Sequence, residues 1–416
     1  MEVMCRKPEV MALRVFNSLT LKKQIFKPEG RPVKIFLCGP TTYDHCHLGH
    51  ARTFVAFDTI ARYLKYRGYK TKVVMNVTDI HRDISRNAEK AGQSSKDYAD
   101  RYFRSFLDDL RMLEIDTINT VTRASHSLPE MMAWIARLLE KKAAYVTEEG
   151  VYLDTRKVKG YGALSHQSRS QLALRKLNLS PLKKHQEDFP VWCNLQEERD
   201  VWDSPWGRGR PGEHIEDAAA STKYLGLSYD INGGGDELIF PHHEAIKAQV
   251  EAVTKASACK YWLHTGLMYV RGRKMSKSLR NFITIREALD QYDSRILRLY
   301  FSLTHYRKPL HFKRSDLERA SKLFSRLSSR MDELKSEAKQ WSEEGNASNL
   351  DAMTSVFKRS FVEAMDNDFD TETAAMLIVD FSKSLMKASR LRKRSRRSLS
   401  EATQFLAEAC SILGIL

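Results

Sequence analysis

Two short stretches of this chain carry groups suited to handling a nucleoside triphosphate. The run His47–His50 (His-Leu-Gly-His) follows the apolar run Val33–Leu37 and opens an apolar-periodic segment, Ala51–Tyr66, so that it is predicted to lie at a helix N-terminus, which favours anions. The run Lys274–Ser278 (Lys-Met-Ser-Lys-Ser) adds two ammonium groups on a short polar loop. Positioned donors and cations stabilise the charge that phosphoryl oxygens gain when a carboxylate attacks the α-phosphate. The predicted catalytic residues are therefore His47, His50, Lys274 and Lys277.

A βαβ unit is predicted around the first of these stretches. Val33–Leu37 and Thr71–Asn76 have the apolar character of short buried strands, and the helix Ala51–Arg67 lies between them, with Gly68 as its stop signal. A strand, a helix and a second strand in this order form a right-handed parallel unit. The predicted fold class is therefore α/β, with a doubly wound parallel sheet.

The remaining segments divide the chain into two halves of different class. Between about residues 115 and 205, Tyr145–Asp154 is predicted to be a hairpin or strand pair, and Leu172–Glu198 a polar, basic and irregular insertion. From Ser315 onward the apolar spacing is almost wholly helical. We therefore expect an α/β domain over residues 14–310, interrupted by the insertion, and a helical bundle over residues 315–416. The helices predicted outside the βαβ unit are Lys96–Leu113, Ser127–Lys142, Glu244–Val253, Leu317–Ala338, Ala352–Met365, Thr373–Arg390 and Leu399–Leu413.

Composition favours a cytoplasmic protein with a polyanionic partner. Hydrophobic residues make up 42% of the 416 and charged residues 29%, which suits a sizeable core in two or three domains. The sequence has no run of about 18 apolar residues, no secretory signal and no Cys-x-x-Cys spacing among its six cysteines, so neither a membrane span nor a disulfide scaffold is expected. The excess of 16 positive charges, densest at Arg390–Arg397, predicts RNA as a partner.

Further motifs give the chain a resemblance to a known family. The resemblance extends from about Leu19 almost to the C-terminus. With the two stretches above, these motifs make the chain similar to class I aminoacyl-tRNA synthetases, and specifically to the cysteinyl-tRNA synthetase family. The motifs are Phe36–Asp44, Asn76–Ile80, Ser204–Gly207, Pro211–Glu216, Gly233–Gly235 and Phe240–Glu244.

The resemblance implies a Rossmann-like, ATP-dependent ligase. Such an enzyme forms an aminoacyl-adenylate, releases pyrophosphate and transfers the aminoacyl group to tRNA, with Mg²⁺ accompanying the nucleotide; we expect a monomer. The residues implied in binding ATP are Gly39, Thr41, Gly49, Gly233, Gly234, Gly235, Glu237 and Lys277. The residues implied in the amino-acid pocket are Cys38, Thr78, Glu213, Asp217 and His242.

The implied amino-acid pocket departs from the family at its zinc ligands. The family holds zinc through four side chains, and the metal selects the cysteine thiolate because sulfur is a soft ligand. Cys38 and His242 match two of these ligands, whereas Asp217 stands in place of a cysteine and Ile246 in place of a glutamate. Other departures are Glu213 for a tryptophan, Asn232 for a histidine, His81-Arg82 for an acidic pair, and Arg280 for a glycine after the Lys274–Ser278 motif.

These departures leave three alternatives for the pocket. In the first, zinc persists on Cys38, Asp217 and His242 with a carboxylate such as Glu213 or Glu244. In the second, the metal is absent and the pocket is reshaped for another substrate, with Glu213 and Asp217 facing a cationic or hydroxylated group. In the third, the protein is losing its function. Retention of both nucleotide motifs argues against decay. We therefore predict a zinc-free pocket with changed amino-acid specificity.

The sequence leaves two candidates for the acceptor of the aminoacyl group, RNA and a small amine. The run Asp366–Thr371 matches the start of the family's tRNA-stem-contact bundle, and the family's small anticodon-reading domain is expected to be absent. The cysteine ligase of mycothiol synthesis also lacks that domain and joins its amino acid to an amino sugar. We predict tRNA as the acceptor, with a small-molecule amine as the first alternative and a non-catalytic RNA-binding protein as the second.

Overall fold

Helices and short strands make up most of the computed structural model, which describes residues 12–175, 180–195, 200–276, 279, 281–340, 348–389 and 395–416. The strands are β1 (Arg14–Asn17), β2 (Lys22–Ile25), β3 (Val33–Thr41), β4 (Thr71–Thr78), β5 (Thr120–Arg123), β6 (Ala144–Thr147), β7 (Gly150–Leu153), β8 (Phe189–Asn194), β9 (Gly209–Pro211), β10 (Tyr229–Gly235), β11 (Cys259–Thr265), β12 (Met268–Val270), β13 (Arg273–Lys274) and β14 (Leu310–Phe312). The helices are α1 (Leu48–Tyr66), α2 (Arg82–Lys90), α3 (Ser95–Met112), α4 (Leu128–Glu140), α5 (Arg169–Leu174), α6 (Ile215–Leu225), α7 (Glu244–Thr254), α8 (Ile285–Leu289), α9 (Ser294–Ser302), α10 (Arg314–Gln340), α11 (Ser348–Asp366), α12 (Thr371–Ser389) and α13 (Arg396–Leu413).

A five-stranded parallel sheet with the order β11-β10-β3-β4-β5 forms the centre of the first half. Strand β3 pairs with β4 from Val33↔Thr71 onward, and α1 connects the two strands. Helices pack on both faces of this sheet. The predicted doubly wound α/β class and the βαβ unit are therefore confirmed.

Alternation along β3 separates two apolar cores. Ile35 and Leu37 belong to the cluster that includes α1, whereas Phe36 and Cys38 belong to the cluster that includes α6 and α7. Successive side chains of a strand point to opposite faces, so this pattern follows from the local geometry. It places Cys38 on the α6–α7 face, at the carboxyl end of the strand.

The insertion contains more regular structure than the sequence suggested. Strands β6, β7, β8 and β9 form a four-stranded antiparallel sheet. The prediction of an irregular Leu172–Glu198 is wrong for Phe189–Asn194, where Val191 and Trp192 are fully buried. The strand is only six residues long and begins Phe-Pro, which hides its periodicity. Residues 176–179 and 196–199 of that segment lie outside the described part of the chain.

The C-terminal part is helical, as predicted, and packs against the α/β part. Asp368, between α11 and α12, accepts hydrogen bonds from the backbone N–H of Phe16 (2.7 Å), the hydroxyl of Tyr306 (2.9 Å) and Nε of Arg307 (2.6 Å). The apolar cluster of α1 continues into the last four helices. The division at about residue 315 remains a proposal about domain limits. None of the described helices is long and apolar enough to cross a bilayer.

A buried ion pair joins four helices of the two parts. Arg298 of α9 bonds Asp58 of α1, and both side chains are fully buried. The same guanidinium donates to the carbonyls of Leu113, after α3 (3.1 Å), and Leu413, in α13 (3.2 Å). Breaking a buried pair is costly because the remaining charge stays uncompensated.

We predict that Arg298→Met lowers the free energy of unfolding by about 3–5 kcal/mol, because the buried Asp58 carboxylate then keeps only Arg62 as a charged partner and the carbonyls of Leu113 and Leu413 lose their donor. Denaturant unfolding would measure this loss. The control is Arg295→Met on the same helix, whose partner Asp293 is at the surface and whose loss should cost about 1 kcal/mol or less. Similar losses in the two variants would show that the buried pair does not hold the parts together.

Candidate active site

The candidate site lies where the order of the central sheet reverses. From β3 the chain proceeds to β4 and β5 on one side, and β10 and β11 lie on the other. Parallel strands end at a shared edge, and ligands bind outside the carboxyl ends at such a reversal. Cys38, Thr78 and Gly233–Gly235 all lie at or near these ends. The sheet therefore brings both the predicted nucleotide residues and the predicted amino-acid pocket to one crevice.

The run His47–His50 forms the first turn of α1. His47 is the N-cap residue; its Nδ1 accepts from the backbone N–H of Gly49 (3.1 Å), and its own N–H donates to Nδ1 of His50 (3.2 Å). The two imidazoles stack with ring centroids 3.9 Å apart. Both predicted catalytic histidines therefore lie at the positive end of the helix dipole, where an anionic phosphate is favoured.

The segment that follows the second motif borders the first motif in space. The backbone N–H of Leu48 donates to the carbonyl of Ile283 (2.9 Å), and that of Ile285 donates to Cys46 (3.0 Å), so the segment after the lysine motif pairs with the histidine turn. Lys274 ends β13 of a small three-stranded sheet, β13-β12-β14. The proximity of the lysine side chains to the histidines stays a prediction. Lys277, Ser278 and Arg280 lie outside the described part of the chain.

Asn281 joins the described ends of the lysine loop. Its Nδ2 donates to the carbonyl of Lys274 (2.9 Å), and its Oδ1 accepts from the N–H of Ser276 (3.0 Å). Sequence reasoning missed this residue, because an asparagine in a polar loop carries no periodic signal.

The predicted nucleotide-binding glycines have close protein neighbours. A Cβ on Gly233 would lie 2.1 Å from the ring of Phe57, and one on Gly39 would lie 2.4 Å from the carbonyl oxygen of Asn76. A Cβ on Gly49 would lie 2.8 Å from the ring of His47. Helix–sheet and turn packing thus explain these glycines, whereas their predicted contact with ATP remains a proposal. The same holds for the contacts predicted for Thr41, at the end of β3, and for Gly234, Gly235 and Glu237, at and after the end of β10.

Three of the predicted pocket residues form one cluster. The donor atoms of Cys38, Asp217 and His242 lie within 4.8 Å of one another. Asp217 Oδ2 is 2.5 Å from His242 Nε2 and 3.2 Å from Cys38 Sγ. Asp217 lies in the first turn of α6, and Asn76 Nδ2 donates to its Oδ1 (2.8 Å). Asn76 pairs in register with Cys38, which is why its side chain reaches the same face.

Three further histidines extend this cluster into the interior. His214 Nδ1 is 2.9 Å from His242 Nδ1, His243 Nε2 is 3.1 Å from Cys38 Sγ, and His264 Nε2 is 2.8 Å from His243 Nδ1. Burial lowers the pKa of His214 and of His264 to about 3 and the pKa of His243 well below its ordinary value. These three imidazoles are therefore neutral at pH 7.

The acidic groups of the pocket differ in their surroundings. Burial, reinforced by Asp217, raises the pKa of Glu216 well above its ordinary value, and Thr78 donates to that carboxyl group. Burial and Asp217 likewise raise the pKa of the Cys38 thiol. The pocket thus favours the protonated form of Glu216, and at neutral pH it holds Cys38 as a thiol rather than a thiolate.

Glu213 lies at the rim and pairs with another departure from the family pattern. Its side chain is 58% exposed, and Oε1 is 3.3 Å from Nε2 of His81. The hydrogen bond to His81 lowers the pKa of Glu213 to about 2. Glu213 is therefore engaged by His81, which the sequence did not predict.

The residues present do not fit the four-ligand zinc centre that the resemblance implies. Ile246, at the fourth position, is fully buried in the apolar core and offers no donor. Asn76 donates to one oxygen of Asp217, and His214 contacts one ring nitrogen of His242, whereas the other donor atoms of the cluster contact one another. Glu244, an alternative ligand suggested by the sequence, accepts from the backbone N–H of Ser165 (2.8 Å) and is not part of the three-residue cluster.

Comparison with known proteins identifies the family of the chain. Residues 24–322 match the family model "tRNA synthetases class I (C) catalytic domain", and residues 360–416 match the DALR domain. The cysteine–tRNA ligase of Thermococcus onnurineus (strain NA1) is 39% identical over 415 residues, covering 97% of this chain and 87% of that protein. The cysteine–tRNA ligase of Methanococcus maripaludis (strain C7) is 37% identical, covering 97% and 86%.

Solved structures share the fold at low identity. A leucyl-tRNA synthetase from Agrobacterium radiobacter K84, in a ternary complex with tRNA, has a TM-score of 0.70 at 11% identity, covering 92% of this chain and 84% of that one. Mycobacterium tuberculosis methionyl-tRNA synthetase with methionyl-adenylate has a TM-score of 0.66 at 13% identity, covering 93% and 90%. The chain therefore belongs to the cysteinyl-tRNA synthetase family of class I aminoacyl-tRNA synthetases, which are ATP-dependent ligases.

Proposed function

We propose that the protein activates an amino acid with ATP and transfers it to tRNA. In the first step a carboxylate oxygen attacks the α-phosphorus, and pyrophosphate leaves. In the second step a ribose hydroxyl attacks the carbonyl carbon of the adenylate, the hydroxyl proton is released, and AMP leaves. The pairing of Cys46–Leu48 with Ile283–Ile285 carries this proposal, because it holds the histidine turn against the segment that follows the lysine motif.

The proposed roles of the nucleotide-binding residues follow from their charge and hydrogen-bonding capacity. His47 and His50 donate to the phosphates at the N-terminus of α1, and Mg²⁺ accompanies the triphosphate. Lys277, helped by Lys274, neutralises the departing pyrophosphate. Donors and cations fixed before the reaction stabilise developing charge without reorganisation, which is usually the largest single contribution to catalysis.

The amino-acid pocket is proposed to work without zinc. A metal would present two positive charges to a substrate thiolate, whereas this pocket presents the acidic side chain of Asp217 beside His242 and near the neutral imidazoles of His214 and His243. An anionic side chain is therefore disfavoured next to Asp217, which favours cysteine as a neutral thiol. A side chain that donates a hydrogen bond or carries a positive charge suits Asp217 better, and cysteine selectivity should be weak.

The departures from the family pattern support a changed pocket over a decaying one. Glu213 and His81, both departures, bond each other, and Asp217 bonds the retained His242. Asn232, a fourth departure, accepts from the hydroxyl of Tyr229 (2.8 Å). Random loss would leave buried polar groups unpaired, at a cost of about 1–3 kcal/mol each.

RNA is the proposed acceptor, and a basic groove on the C-terminal helices supports it. The groove between α10 and α12 has a volume of about 560 Å³ and is lined by Arg326, Arg330, Lys383 and Lys387 against the single acid Glu333. Of the basic run predicted to meet RNA, 390–394 lies outside the described residues, and Arg397 pairs with Glu401. The relatives named cysteine–tRNA ligases favour this acceptor over a small amine or a purely RNA-binding role.

Replacing Lys277 with alanine should slow activation roughly 10²–10³-fold, because one lost transition-state interaction of this kind commonly costs about 2.7–4 kcal/mol. Amino-acid-dependent pyrophosphate exchange would measure the rate. Lys322→Ala, an exposed lysine on α10, is the matched control and should leave the rate unchanged. An unchanged rate in Lys277→Ala would remove this lysine from the mechanism.

A screen of pyrophosphate exchange over amino acids should show a preference for cysteine over serine of roughly 10²-fold or less, because no metal distinguishes thiolate from hydroxyl. Metal analysis should find no zinc bound to the purified protein. Asp217→Cys/Ile246→Glu restores the family's four donors and should gain both zinc and cysteine preference. The control Ile246→Val adds no donor and should gain neither. Zinc-dependent cysteine preference in the unmodified protein would refute the zinc-free pocket.

Binding to tRNA should weaken steeply with salt, since several phosphate contacts together lose roughly 10³–10⁵ in affinity between about 50 and 200 mM. Arg326→Ala/Lys387→Ala should bind tRNA more weakly and reduce the slope of log K against log salt by about two. The control Lys159→Ala/Lys255→Ala removes two exposed lysines from another surface and should keep the slope. Salt-insensitive binding, or none, would favour the small-amine acceptor.

A further inference from the structure

A buried cation, Arg52, lies in the second turn of α1, two residues after His50. The residue is 2% exposed, its Nε is buried without a hydrogen-bond partner, and no carboxylate of the described residues forms an ion pair with it. Burial lowers its pKa to about 10, so the guanidinium stays charged at neutral pH. A buried charge is unfavourable unless hydrogen bonds or an opposite charge balance it. Folding stability alone therefore gives little reason for a charged residue at this position.

The guanidinium donates to the backbone carbonyls of two loops. Nη1 donates to Gly266 (2.7 Å) and Leu267 (3.3 Å), which precede β12. Nη2 donates to Lys308 and, over 3.3 and 3.4 Å, to His305 and Tyr306, which precede β14. The rigid fork of a guanidinium can hold both loops at once, whereas the ammonium group of a lysine is a single point charge.

The same two loops touch each other and α1. The backbone N–H of Gly266 donates to the carbonyl of Tyr306 (2.9 Å), and a Cβ on Gly266 would lie 2.4 Å from the carbonyl oxygen of Lys308. The neighbouring Thr53 hydroxyl lies 2.7 Å from that of Thr265, at the end of β11. The beginning of β12 is therefore fixed against α1 by two consecutive residues of the helix.

Strand β12 leads to the lysine motif. Its Tyr269 pairs with Lys274 of β13, so the backbone position of Lys274 depends on where β12 begins. Arg52 fixes that beginning, and the pairing of Leu48 with Ile283 (2.9 Å) fixes the segment after the motif. The chain is thus attached to the first two turns of α1 on both sides of the lysine motif.

We propose that Arg52 is a positioning residue for amino-acid activation, an inference that rests on the proposed roles of the histidine turn and the lysine motif. It sets the distance of β12, and with it the backbone of Lys274, from the histidine turn, and it acts through that strand rather than by touching the substrate. A stabilising group that is misplaced by about 1 Å can cost roughly 10²-fold in rate.

The test is the kinetics of amino-acid-dependent pyrophosphate exchange in Arg52→Lys, which keeps the charge but not the fork. The kcat should fall roughly 10²-fold while the KM for ATP changes little, because contacts to the bound nucleotide are retained. Arg52→Lys/Lys274→Ala should be hardly slower than the slower single variant, since both changes remove the same stabilisation. The control is Arg67→Lys, at the other end of α1, where Arg67 pairs with Asp366; it should keep the kcat.

Thermal unfolding of each variant sets an assay temperature at which all are folded. If Arg52→Lys does not fold, Thr53→Val replaces it, since it removes another contact that fixes the beginning of β12. Its kcat should fall by a smaller factor, again without adding to the effect of Lys274→Ala. An unchanged kcat in Thr53→Val would then overturn the proposal.

The failures of the two proposals are distinguishable. If Lys274→Ala slows exchange but Arg52→Lys does not, or if the two losses multiply in the double variant, Arg52 does not position the lysine motif and the proposed function stands. A raised KM for ATP with unchanged kcat in Arg52→Lys would indicate lost binding and would also overturn the assignment. If the unmodified protein catalyses no exchange, or Lys274→Ala leaves it unchanged, the proposed role of the lysine motif fails and this inference fails with it.

Discussion

Parallel strands end together at one edge of a sheet, and this constraint organises the whole candidate site. The last buried residues of β3 include Cys38, and the same chain continues within ten residues into the histidine turn of α1. The Cys38 cluster and the histidine turn are therefore attached to a single strand. Asp58 of α1 and its buried partner Arg298 then tie that helix to the C-terminal helices. The geometry between the candidate site and the C-terminal helices thus depends on β3 and α1.

The chemistry of the amino-acid pocket depends on how its buried acidic group is compensated. An ionised carboxylate away from water is unfavourable unless hydrogen bonds or an opposite charge balance it. Asp217 receives three such contacts, from Asn76, His242 and Cys38, and it lies at the N-terminus of α6, whose dipole favours an anion. These contacts hold an acidic side chain at the position where the family has a cysteine ligand. That acid is the physical basis for the proposed change in substrate.

Sequence reasoning recovered the features that depend on local pattern. The alternation of β3 and the capping position of His47 follow from neighbouring residues, so the βαβ unit and the helical C-terminal half were predictable. Strand Phe189–Asn194 was missed because it is short and begins Phe-Pro, which hides its alternating pattern. Partnerships such as His81 with Glu213 were not predictable, because their members are far apart in sequence and only the folded sheet edge brings them together.

Several residues that depart from the family pattern bond one another, and this bears on how the pocket has changed. A cysteine ligand replaced by aspartate, alone, would place an acid beside a metal and leave the rest of the centre intact. Here the fourth ligand is also replaced, by Ile246, which packs in the apolar core rather than lining a vacant position. A tryptophan replaced by Glu213 would leave a carboxylate at the rim, and His81 lowers its pKa to about 2 by bonding it. Each replacement is thus accommodated by a neighbour, and the described part of the nucleotide motifs keeps the histidine turn at the N-terminus of α1. A protein that only bound RNA would need neither property, which is why we propose an activating enzyme whose selection of the amino acid is changed.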